Sequence, residues 1–75
     1  MQVYSLLGFV DYEGSDLLGV FGSLDDLLVD VDRRRSEYSQ GGSRWRPESF
    51  GFDQVGYVVS ELGQRVDVLG EVEYL

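Results

Sequence analysis

Histidine, cysteine and lysine are all missing from this chain of 75 residues. Each absence removes a chemistry. Without His there is no side chain that ordinarily titrates near neutrality, without Cys no thiol nucleophile, and without Lys no Schiff-base amine. The lack of both His and Cys also excludes a tetrahedral zinc site of the usual kind, and the lack of Cys excludes a disulfide staple. Catalysis would have to rest on carboxylates, Tyr, Ser and Arg, and no set of these has a recognisable spacing. The chain is therefore expected not to be an enzyme and to hold no cofactor. Ile, Asn and Ala are absent as well. Missing Lys, Ile and Asn fit a G+C-rich genome, whereas missing Ala does not. Long apolar runs are also lacking, and residues 1–10 (MQVYSLLGFV) have neither the basic start nor the cleavage site of a signal peptide. A soluble, cytoplasmic protein with no membrane contact is expected.

What the chain has in plenty is acid: 14 Asp and Glu against 6 Arg, a formal net charge of −8. That balance disfavours nucleic acid and anionic membrane as partners and favours a protein with a basic surface, although an acidic exterior also serves solubility alone. The length allows one domain, residues 1–75. A chain so short buries only about 60% of its unfolded surface, so self-association into a homo-dimer would relieve a shortage of core.

Hydrophobic periodicity divides the chain into five elements. Gln2 to Tyr12 and Asp16 to Gly22 read as a hairpin around Glu13-Gly14-Ser15. In the first strand Tyr4, Leu6, Val10 and Tyr12 share one face and Val3, Leu7 and Phe9 the other, so this strand belongs in the middle of a sheet. From Ser23 the period changes. Leu24, Leu27, Leu28, Val31 and Tyr38 form one stripe of a helix with a Ser cap, Asp25 and Asp26 in its first turn, and Arg33, Arg34 and Arg35 placed to complement its end. The helix stops at Gln40-Gly41-Gly42-Ser43, and Arg44-Trp45-Arg46-Pro47 reads as a loop that Pro47 keeps extended. Phe50, Phe52, Val55, Tyr57, Val58 and Val59 then read as a strand and Leu62-Gly63-Gln64-Arg65 as a turn. In a last strand, Val66, Val68, Val72 and Tyr74 alternate with Asp67, Glu71 and Glu73, which suits a sheet edge. The fold class is α+β: a small antiparallel sheet of about four strands with one amphipathic helix on one face, in the order ββαββ.

Val3-Tyr4-Ser5-Leu6-Leu7, Asp11-Tyr12-Glu13-Gly14, the Leu18-Gly19-Val20-Phe21-Gly22-Ser23 run into the capped helix and the later aromatic strand carry a resemblance. The chain resembles a family of uncharacterised small bacterial and phage proteins, through its first forty residues above all. The resemblance implies a shared fold and transfers no functional residue. The Gly-Gly-Ser-Arg-Trp-Arg-Pro loop departs from that family.

Five of the six cations lie between residues 33 and 46. Arg44 and Arg46 flank Trp45, with Arg33, Arg34 and Arg35 close in sequence, and Arg and Trp are the residue types enriched at interface hot spots. They are candidates for a partner-binding surface. The competing reading has the helix arginines serving only the helix end, Trp45 folded over the sheet's uncovered face, and both loop arginines paired with the protein's own acids. Asp67, Glu71 and Glu73, projecting at period two, are candidates for meeting a basic partner. Asp11, Glu13 and Asp16 crowd the hairpin but lack the remaining positions of a calcium loop. Tyr4, Tyr12, Tyr57 and Tyr74 read as sheet-packing residues. These features point to a non-catalytic accessory protein, prokaryotic or phage in type, that occupies another protein's surface, for instance as an inhibitor of a host system handling nucleic acid. The alternatives are an Arg-Trp-Arg module for an acidic ligand or single-stranded nucleic acid, and a structural homo-oligomer.

Overall fold

The computed structural model describes residues 1–42, 44–61, 63 and 71–75. Strands β1 (Gln2–Val10) and β2 (Gly14–Phe21) form a hairpin, followed by helix α1 (Leu24–Gln40), a 3-10 turn over Pro47–Ser49, and strands β3 (Gln54–Glu61) and β4 (Glu73–Tyr74). The sheet runs β2-β1-β3-β4 and every neighbouring pair is antiparallel. The sheet-and-helix architecture expected from the sequence is present, and β1 is central, as an apolar pattern on both faces requires.

One face of the sheet carries α1. Leu6 and Val55 from the sheet meet Leu27 and Val31 from the helix, and all four are buried. Tyr4, Leu18, Phe21, Leu24, Phe50, Phe52 and Tyr57 close around them. The helix starts where the backbone of Ser23 is still extended and its Oγ accepts the Asp26 N–H at 3.2 Å, satisfying one of the unpaired donors of the first turn. It ends as Gly41 N–H reaches Glu37 O at 3.0 Å and Gly42 turns left-handed at φ 85°. On the opposite face Leu7 and Ser5 are buried in β1, and Phe9 packs its ring 5.7 Å from that of Tyr74 in β4.

Two details set the edges. Between Leu6 and Leu7 the β1–β2 register slips by one residue, leaving Leu18 without a partner on β1, a bulge. Gly8 carries no side chain because the Phe52 ring occupies that place: a Cβ there would lie 2.6 Å from the ring. Phe52, stacked edge-on against Phe50 at 5.9 Å, thereby docks the segment before β3 onto the middle of the sheet.

Several expectations are corrected. The hairpin turn is Asp11-Tyr12-Glu13, so Tyr12 leaves the sheet. Its residue stands fully exposed in left-handed backbone at φ 68°. Phe50 and Phe52 precede β3 in a turn, where they pack as core residues, because Phe50 is left-handed at φ 38° and cannot continue a strand. The residue before Pro47 is not extended: Arg46 sits at φ 47°, ψ 60°, and Pro47 opens a 3-10 turn. Arg33, Arg34 and Arg35 lie short of the last helical turn, which holds no cation. The last strand is described over Glu73–Tyr74; Val66, Asp67 and Val68 lie outside the described residues, as does most of the turn expected at 62–65.

Candidate functional site

Asp53 sits just before β3 and is tied to the sheet by its own N–H, which donates to Phe9 O at 2.9 Å. Its carboxylate then faces two ways. Oδ2 accepts the backbone N–H of Asp11 at 2.6 Å, and Oδ1 pairs with Arg46 Nη2 at 3.0 Å. One side chain thus joins the β1–β2 turn to the loop after α1. The Arg46 guanidinium carbon lies 5.1 Å from the Trp45 ring centre, within cation–π range.

The loop is braced from several sides. Tyr38 of α1 donates its hydroxyl to Trp45 O at 2.5 Å, and Arg35 Nε donates to Glu48 O at 2.6 Å. Ser49 and Gly51 both donate their N–H groups to Arg46 O, at 3.3 and 3.1 Å. Yet the indole that this bracing holds is 66% exposed. Trp45 therefore does not fold over the sheet, and the loop presents it to solvent. Tyr12, on the turn held by the other carboxylate oxygen, is also wholly exposed. The two aromatic side chains are carried by two short, left-handed turns fastened to each other through Asp53.

The cations between residues 33 and 46 divide between two tasks. Arg33 pairs with Asp30 at 2.5 Å and Glu37 at 3.1 Å, and Arg34 with Asp30 at 2.6 Å while donating to Leu18 O at 2.9 Å. Arg35 lies 3.7 Å from Asp32 and braces the loop. These three serve the fold. Arg44 lies with Ser39, Gly42 and Pro47 around a shallow hollow at the helix C-terminus and makes no ion pair among the described residues. The negative end of the helix dipole favours the guanidinium there and disfavours a phosphate beside it. Glu71 and Glu73 are exposed at the β4 margin, and Asp67 lies outside the described residues.

Asp30 is the hinge of the helix charge network. Burial pushes its carboxyl up, but hydrogen bonds and charge from Arg34 and Arg33 outweigh it and hold the group below its ordinary 3.8. A carboxyl whose value falls on folding contributes stability above its unfolded value, and the contribution is lost as pH falls through the lower folded value. Asp30→Asn should therefore cost about 1 kcal/mol at neutral pH. It should also flatten the decline in denaturation midpoint between about pH 5 and pH 2, which urea titrations at several pH values would show. An unchanged pH profile would remove Asp30 from the network.

Sequence reading found Trp45 and its flanking arginines but missed Tyr12 and Asp53. Asp11-Tyr12-Glu13-Gly14 did contain a signal, a glycine two positions beyond the left-handed Tyr12. A lone Asp before a strand carries none. The chain matches no family model, no curated protein and no solved structure.

Proposed function

We propose that the protein is a non-catalytic interaction protein whose contact surface is the end carrying Trp45 and Tyr12. A single observation supports this most directly: an indole 66% exposed on a loop held by hydrogen bonds from α1 and an ion pair to Asp53. An anchor fixed before binding loses little conformational freedom on association, and exposed Trp with adjacent Arg is the composition of an interface hot spot. Two left-handed non-glycine residues, Tyr12 and Arg46, lie in this end, each at a cost of roughly 1–2 kcal/mol. Arg46 gains its ion pair with Asp53 in return, whereas the fully exposed Tyr12 side chain buries nothing that offsets the cost.

The partner that fits is a protein with a basic surface. Asp11 and Glu13 flank Tyr12, and neither is in an ion pair among the described residues. Proteins that handle nucleic acid present such basic grooves, and a small acidic protein occupying one would block it. Direct nucleic-acid binding is disfavoured, since three of the five clustered arginines are spent on acids of α1.

Trp45 is the one tryptophan of the chain, so its fluorescence reports this surface directly. Tagged protein should retain a partner from nuclease-treated lysate of the encoding organism, and adding the purified partner should shift Trp45 emission to the blue and shield it from acrylamide. Trp45→Ala should weaken the complex at least tenfold, about 1.4 kcal/mol. Val29→Ala, at an exposed helix position, should not. Equal binding by wild type and Trp45→Ala would remove the loop from the interface, and capture that disappears with nuclease would favour the nucleic-acid reading.

A further inference from the structure

Beside Tyr12 the surface dips into a hollow of about 380 Å³ lined by Phe9, Val10, Asp11, Tyr12, Ser15 and Gln54. That is the lower end of the range for ligand sites, roughly 300–1,000 Å³. Its make-up is specific. Among its lining residues Phe9 and Val10 are apolar, Gln54 carries a side-chain amide, Asp11 a carboxylate and Tyr12 an aromatic ring, whose residue is fully exposed. Asp11 and Glu13 form no ion pair among the described residues, whereas Arg46, the cation fastened to this turn through Asp53, is already matched by that carboxylate.

Apolar walls ending in a carboxylate and an aromatic face are what a long cationic side chain requires. Its methylene stem covers the walls while its charged head meets acid and ring together. A guanidinium satisfies both at once, since its plane stacks on an aromatic ring and its edge pairs with a carboxylate. An ammonium is a compact, more strongly hydrated point charge that leaves the ring face unused.

We propose that this hollow receives one arginine side chain of the partner protein. The inference rests on the interaction reading above and gives its second anchor point: Trp45 enters the partner, and the partner's arginine enters beside Tyr12. The order of contact follows from charge, with the unpaired acids of the turn drawing the cationic head toward the hollow before the surfaces meet.

The test separates the hollow from the Trp45 surface. N-acetyl-arginine amide is titrated into isotopically labelled whole protein and followed through backbone amide shifts. Saturating shifts concentrated at Val10, Gly14, Ser15 and Gln54 are expected, with N-acetyl-lysine amide at least threefold weaker. Tyr12→Asn removes the ring while Asn tolerates the left-handed backbone, so it should keep the fold and weaken the arginine response at least threefold; Asp11→Asn should do the same. Tyr12→Phe, which keeps the ring, and Trp45→Ala, which leaves the hollow intact, should respond as wild type does. Shifts spread equally over Asp25, Asp26 and the hollow, an equal response to lysine, or indifference to Tyr12→Asn would each overturn the proposal. If Trp45→Ala abolished neither this titration nor partner capture, the hollow would stand and the Trp45 surface would fall.

Discussion

Leu27→Ala should cost the fold about 3 kcal/mol. Leu27 is fully buried at the centre of the helix–sheet contact, against Leu6, Val31 and Val55, and truncating such a residue removes both its transfer free energy and the packing of the cavity left behind, about 2–5 kcal/mol in well-packed cores. The size matters because the total is small. At roughly 0.05–0.15 kcal/mol per residue, a chain of this length holds about 4–11 kcal/mol in all. One substitution would therefore remove a large share of the stability and lower the melting temperature by something on the order of 12–24 °C. Thermal and urea unfolding followed by circular dichroism would measure it. Leu28→Ala, one position along and 40% exposed, is the control and should cost less than about 1 kcal/mol. A loss at Leu27 no larger than at Leu28 would mean that α1 does not seat on the sheet through this stripe.

Gly8→Ala should cost about 1–3 kcal/mol by overpacking, although it adds a single methyl group. The Cβ would stand 2.6 to 2.8 Å from three atoms of the Phe52 ring, and the ring has little room to yield because Phe50 lies against it and the core beneath it. The displacement has a second result that a simple core defect would not. Phe52 adjoins Asp53, and Asp53 fastens both the Tyr12 turn and the Trp45 loop. Gly8→Ala should therefore loosen the Trp45 loop, seen as greater acrylamide quenching of Trp45 at urea concentrations where the sheet is still folded. A destabilised variant with unchanged quenching would show that the loop's position does not depend on where Phe52 sits.

The sheet was legible because its signals are local and redundant. An apolar pattern on both faces placed β1 in the middle, and Ser23, Asp25 and Asp26 marked the start of α1 as clearly as Gly41 and Gly42 marked its end. The segment from Arg44 to Asp53 was not legible in the same way. Phe50 and Phe52 alternate as strand residues do, but left-handed backbone at Arg46 and Phe50 overrides that pattern, and its cause is tertiary: Phe52 finds its place only above Gly8. The same holds for the site. Trp45 and Arg46 stand out by composition, while the tie from Asp53 to Asp11 spans 42 residues and leaves no trace in either segment's sequence. The helix arginines were misjudged for a related reason. Their spacing from Asp30, three and four residues, predicts partners along the helix at least as well as it predicts service to the helix terminus, and the nearby acids prevailed.

The bulge at Leu18 sets a limit on growth. Strand β2 is the outer member of the sheet, and such a margin ordinarily invites a further chain to zip alongside it. Here the ladder is interrupted where Leu18 has no counterpart, and its carbonyl is already claimed by the Arg34 guanidinium. An incoming segment would have to evict that guanidinium, uncoupling it from Asp30 as well, before completing its own row of bonds. At this point of the margin a helix residue competes with any added strand, a local brake of the kind that irregularities and charges give to sheet edges.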